Sequence, residues 1–166
     1  MWLEWSIHKN GQWQGQMERM HRWHDRVQRA CAAGSPDVED FVFAFFQNCF
    51  TLREWVEKTS PLSKTDLDTF MESTPEMRIC RDICNGTKHY SISRPSIDAQ
   101  FSILREYNPY EPSRYRLFIL LEDMDHVVKG KHDKYNIVKY DMVELAINCL
   151  RAWDVFLAPH IISETR

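Results

Sequence analysis

Five glycines in 166 residues leave little material for a backbone loop that cradles phosphate. No Walker-type loop, dinucleotide fingerprint, Gly-x-Ser-x-Gly elbow or kinase-like set occurs, so the chemistries built on those motifs are excluded. Charge of one sign is equally scarce. Twenty-one Lys and Arg stand against 24 Asp and Glu, a net charge of −3, so any nucleic-acid contact must rest on a local basic patch. No apolar run approaches the ~18 residues of a membrane span. The strongest, Phe41 to Phe50, is broken by Gln47 and Asn48. The first residues, with Trp2, Glu4, His8 and Lys9, lack the charged-then-apolar layout of a leader peptide. No membrane partner is expected.

The cysteine count is five, an odd number. Cys31, Cys49, Cys80, Cys84 and Cys149 each fall within an apolar helical pattern. That predicts reduced, buried thiols in a cytoplasmic protein rather than a disulfide scaffold. What the chain does have is aromatic bulk, with six Trp and nine Phe, which predicts a large and well-filled interior. Hydrophobic residues at 43% and charged ones at 27% are ordinary for a globular domain, and the length fits one domain spanning 1–166.

Periodicity predicts an α+β fold, mainly α: a four-helix bundle with an antiparallel β-hairpin inserted before the last helix. Residues 1–15 read as irregular, with Trp2, Trp5 and Trp13 placed to clamp onto the body. A first helix over about 16–33 has its seam at Trp13, Met17, Met20, His24, Val27 and Cys31, and Gly34-Ser35-Pro36-Asp37 ends it. A second, about 38–58, is apolar over most of its circumference, which predicts a central position. Arg53 sits on its apolar side beside Val42, Phe46, Cys49 and Val56, so it should be paired or line a pocket. A short capped helix covers about 64–72, with Ser63 and Asp66 at its start. Thr74-Pro75 opens another, about 75–89.

After Tyr90 the period changes to 2. Ile97, Ala99, Phe101 and Ile103 alternate with polar residues, and Tyr115, Leu117, Ile119 and Leu121 begin a second alternating run. The hairpin is placed at about 97–122. Residues 123–136, rich in Lys, Asp and His, read as an exposed loop or a short extra strand. Within them Lys129, Lys131, His132, Lys134 and Tyr135 form a basic run. A last helix covers about 141–159, with Met142, Leu145, Ala146, Cys149, Ala152, Trp153 and Phe156 facing inward.

The chemistry-bearing segment runs from Arg78 to Tyr90, Arg-Ile-Cys-Arg-Asp-Ile-Cys-Asn-Gly-Thr-Lys-His-Tyr. At 3.6 residues per turn, Arg78, Arg81, Asp82, Asn85, Lys88 and His89 share one face. Asp, Asn and His are poor helix formers, so selection for something besides helix stability is implied. RNA cleavage through the 2′-hydroxyl needs an acid and a base, for which imidazole is best suited near neutral pH. It also needs positive charge on the phosphate. His89 supplies the first, Arg81 and Lys88 the second, and Asp82 and Asn85 would orient. Arg53 and His24 are expected to point to the same interior region, with Arg78, as further binding groups. Two other readings of the strip stand beside this one. Its groups could pair with each other and with neighbouring helices, or serve as a recognition surface.

A helical bundle with an Arg-polar start and a later His on a late helix resembles the HEPN superfamily. The resemblance covers about residues 16–90 and 141–159, with Arg81-Asp82 matching the motif's start. It implies RNA binding, metal-independent endoribonuclease activity of toxin or host-defence type, and a homodimer with two motif helices across one cleft. The gap from Arg81 to His89 is longer than the family's, and Asn85 stands where its His falls at the shortest spacing. The segment Cys80 to His89 also resembles a signature of small bacterial proteins. The alternative is a non-catalytic dimeric adaptor, antitoxin or immunity-type protein with a protein partner.

Metal chelation is weighed at two places. His21 and His24, with Glu18 and Asp25, have i,i+3 spacing, and Cys80 and Cys84 precede His89. Neither group reaches a closed set of ligands. Cys80 and Cys84 read as small hydrophobes, and no metal and no cofactor is expected.

Overall fold

A computed structural model describes residues 12–88, 95–97, 101–111, 114–122 and 137–161. Trp2, Trp5, His89 and the basic run Lys129 to Tyr135 lie outside these. The fold is α+β and mainly helical, with five helices and a three-stranded antiparallel sheet.

Helix α1 (Trp13–Ala33) begins three residues earlier than its spacing predicts. Trp13 is buried, and its backbone N–H donates to Thr59 Oγ1 at 2.9 Å, so a tertiary contact fixes the first turn. The helix ends at Gly34, whose φ of 63° is left-handed and carries no penalty without a Cβ. The Ser35 N–H then returns to Ala30 O at 2.9 Å, capping the terminus.

Helix α2 (Val38–Thr59) runs back along α1 and touches every other helix. That position follows from its composition: Val42, Phe45, Phe46, Cys49, Leu52 and Val56 are all inaccessible to solvent. Helix α3 (Lys64–Ser73) is capped by Ser63, whose Oγ accepts the Asp66 N–H at 3.1 Å. Helix α4 (Pro75–Lys88) starts with Pro in its first turn and Glu76 beside the positive helix end.

Strands β1 (Ser102–Tyr107), β2 (Tyr115–Glu122) and β3 (Ile137–Asp141) lie in the order β1-β2-β3. The register pairs Tyr107 with Tyr115 and Phe118 with Asp141. Leu117, Ile119 and Leu121 alternate into the core, as period 2 requires. Phe118, on the other face, is covered by Arg116 and by Lys139 at 3.7 Å from its ring centroid. β3 passes directly into α5 (Met142–Ile161). The Asp141 carboxylate accepts the Val143 and Glu144 N–H groups at 2.9 and 3.1 Å and caps the helix. Among the described residues, no helix is long and apolar enough to cross a membrane.

Candidate functional site

Helix α4 carries the strip that the sequence singles out, and three of its groups, Arg78, Arg81 and Asp82, are engaged within the protein. Asp82 is completely buried. Its two oxygens accept the backbone N–H groups of Ser96 and Ile97 at 2.7 and 2.6 Å. One turn earlier, Arg78 donates through Nη2 to the Ser96 carbonyl at 2.7 Å. The two side chains therefore fasten residues 96 and 97 onto α4. The expectation that Asp82 lies on a reachable ridge is corrected: segment 95–97 covers it, and a carboxylate enclosed this way is stable only because both lone-pair sets find donors.

Arg81 turns toward α3 and pairs with Glu72 at 2.9 Å. From the other side Arg53 donates to Asp68 on α3 and to Glu57 on its own helix. Its guanidinium holds the Asp68 carboxyl below the usual carboxylate range through that hydrogen bond. Asp68 and Glu72 are one turn apart, so α3 offers an acidic edge that two arginines from different helices bind. Arg53 and Arg81 are thus brought to adjacent turns of α3, each on its own carboxylate.

His24 is elsewhere. Its ring meets Phe45 edge-on at 6.1 Å, and a ring nitrogen contacts Gln28 at 3.3 Å. The expectation that it joins the Arg81 strip is corrected; its seam position packs it against α2. Burial lowers its pKa, with Asp25 opposing and His21 adding to the fall. His21 is occupied as well, 3.3 Å from Asp154 of α5, so the histidine pair on α1 does not converge on one point.

At the end of the strip, Lys88 is exposed and Asn85 half-buried. Lys88 lies close enough to Cys84 to oppose the upward push that burial gives that thiol. The catalytic role assigned to His89 falls outside the described residues.

A second group escaped the sequence reading altogether. Cys49 of α2, Cys80 of α4 and Cys149 of α5 place their sulfur atoms within 4.8 Å of one another. All three are fully buried. Cys80 also approaches the Phe46 carbonyl and Cys149 the Glu76 carbonyl, each at 3.5 Å. Burial pushes thiols up, and it does so for Cys80 and Cys149. At Cys49 the nearby polar groups of Cys149, Cys80 and Trp153 outweigh burial, and the pKa falls. Cys80 has its true neighbours on α2 and α5, not one turn along its own helix at Cys84 as the i,i+4 spacing suggests. Only the apolar-face position of each cysteine was visible beforehand.

A cavity of about 540 Å³ lies against the sheet, lined by Tyr107, Tyr115, Arg116, Asp141 and Cys31 among others. Its polar groups pair within the protein: Arg116 Nη2 with Asp141 at 2.7 Å, and Tyr115 Oη with the Pro36 carbonyl at 3.3 Å. Comparison with known proteins gives no family model, no curated protein and no solved structure that matches this chain.

Proposed function

We propose that the protein acts by non-catalytic contact, as a dimeric adaptor or an antitoxin- or immunity-type interaction protein of the cytoplasm. In this reading the architecture is a four-helix bundle carrying an antiparallel hairpin before its last helix. The observation that supports it is the closure of Asp82, which is fully buried with one oxygen accepting the Ser96 N–H and the other the Ile97 N–H. A group that orients an acid, a base or a sugar must have a lone pair or donor within hydrogen-bond reach of it, and segment 95–97 lies over Asp82 instead. The cations nearby are neutralised too, Arg81 by Glu72 and Arg53 by Asp68 and Glu57. Surface for a partner is available: Tyr107, Tyr110 and Val155 are exposed apolar or aromatic side chains.

A HEPN-like RNA-binding protein that cleaves RNA without metal is the second reading. Lys88 favours it, as an exposed cation in the last turn of the helix that carries Arg81 and immediately before His89. In that reading Lys88 and Arg81 contact phosphate and His89 moves the proton.

One pair of measurements orders the two. Purified wild type and His89→Ala are incubated with mixed RNA, and the mass of the wild type in solution is read by light scattering. The adaptor reading expects a dimer and intact RNA with both proteins. RNA cleavage by wild type that is lost in His89→Ala reverses the order, and a strictly monomeric protein removes the dimeric adaptor.

A further inference from the structure

The thiol triad is the group that neither reading uses. A buried cysteine is ordinarily a small apolar filler. Three fillers from three separate helices need not place their sulfur atoms within 4.8 Å of each other, yet Cys49, Cys80 and Cys149 do. A further observation marks the place as polar. The indole N–H of Trp153 is buried without a hydrogen-bond partner among the described residues, although it lies near the Cys49 sulfur. An unpaired donor in a core is costly. A sulfur carrying bonded negative charge beside it would give that donor an acceptor, as outer-shell donors do at metal–thiolate sites.

The spacing fits a shared central atom. A central atom bonded to sulfur at about 2.3 Å separates the sulfurs by about 3.8 Å at tetrahedral angles and about 3.4 Å at the narrower angles of a pyramidal centre, so the triad needs roughly 1.4 Å of closure at most. Side-chain rotation about Cα–Cβ supplies movement of that size. The number of donors then narrows the occupant. No fourth His, Cys, Asp or Glu of the described residues joins the group, whereas structural zinc closes on four ligands.

Charge narrows it further. Three thiolates around a divalent ion leave a net charge of −1, and around a monovalent ion −2. Among the described residues the buried polar side chains are Gln16 and Asp82, so no buried cation compensates. A trivalent centre bound by three thiolates is neutral. That is the one common thiophilic charge state suited to a closed apolar core.

We propose that Cys49, Cys80 and Cys149 form a binding site for a trivalent thiophile of the arsenite class, held as a neutral three-sulfur complex. Binding is a ligand exchange without redox change. Three S–H and three As–O bonds break, three As–S bonds form, and the three hydroxyls leave as three waters. The complex ties α2, α4 and α5 together at one point, and a ligand that binds only the folded state raises its stability. Because the triad is enclosed, loading proceeds during folding or through transient opening of the helices.

The test uses the reduced full-length chain, refolded with and without sodium arsenite and read by native mass spectrometry. The expected adduct is one arsenic per chain, with a mass gain of one arsenic less three hydrogens, and an unfolding temperature several degrees higher. Alkylation after unfolding in urea is expected to label all five cysteines of the unloaded chain but only Cys31 and Cys84 of the adduct, since burial alone shields Cys84 and the triad in the folded protein. A Cys31→Ser/Cys84→Ser variant should bind equally well, and Cys49→Ala, Cys80→Ala and Cys149→Ala should each lose the adduct. An adduct that keeps a hydroxyl, protection of Cys31 or Cys84, or zinc or cuprous ion bound where arsenite is not would each overturn the proposal. The wild-type mass and the labelling pattern decide it even where an alanine variant fails to fold.

Discussion

Arg78 and Asp82, one turn apart on α4, grip the same residue from opposite ends: Arg78 holds the Ser96 carbonyl and Asp82 its N–H. Asp82 takes the Ile97 N–H as well. A charged pair that looks on the helix like a catalytic strip thus satisfies the backbone of a segment with no regular ladder of its own.

Asp82→Ala leaves two backbone donors without their acceptor and a hole in place of a carboxylate. The expected loss is about 3 kcal/mol, from two hydrogen bonds to a charged group. Asp82→Asn keeps one acceptor oxygen and should fall between. Urea unfolding measures both, and an alanine variant as stable as wild type would show that segment 95–97 is held by something else.

The Arg81–Glu72 pair is partly exposed, with side chains 35% and 60% accessible. Solvent screening limits it, and a double-mutant cycle should give a coupling of about 0.5 kcal/mol. The coupling should shrink further in molar salt. A coupling of several kcal/mol would mean the pair is far drier than its exposure indicates.

His24 provides a pH dependence whose sign follows from its environment. Burial lowers its folded pKa below 6.5, against Asp25 and with His21. Between the lowered value and the ordinary one the unfolded chain binds more protons, so stability rises with pH in that window. The contribution is complete above about 6.5 and is lost as pH falls through the folded value. In His24→Gln the acid side of a stability profile should flatten. An unchanged slope would assign it to other groups.

Ser63→Ala removes the hydroxyl that accepts the Asp66 N–H. The expected cost is about 1 kcal/mol, the usual worth of an N-cap. Ser63→Asp should recover most of it, as measured by denaturant midpoint, and no recovery would place the effect outside the cap.

Much of the helical pattern was legible because it is local. Met17, Met20 and Val27 mark the buried side of α1, and Leu117, Ile119 and Leu121 that of β2, through spacing alone. The site was far less so. The burial of Asp82 depends on Ser96, 14 residues on, across a change from helix to extended chain. Cys49, Cys80 and Cys149 lie on three different helices, and spacing along one helix carries no information about which helices meet. β3 was hidden for another reason: Ile137-Val138-Lys139-Tyr140-Asp141 is too short for alternation to show beside a polar run. The early start of α1 is a tertiary effect, since Trp13 is fixed by Thr59 at the far end of α2.

β3 ends at Asp141 and α5 begins at Met142, with no residue between them to absorb a change of direction. The same carboxylate holds Arg116 of β2 and the first N–H groups of α5. Sheet and helix consequently share one anchor: loss of the Asp141 carboxylate would remove the Arg116 pairing and the cap of α5 at once. Cys149 sits about two turns along that helix, so the element that carries the third sulfur is the one the sheet anchors directly.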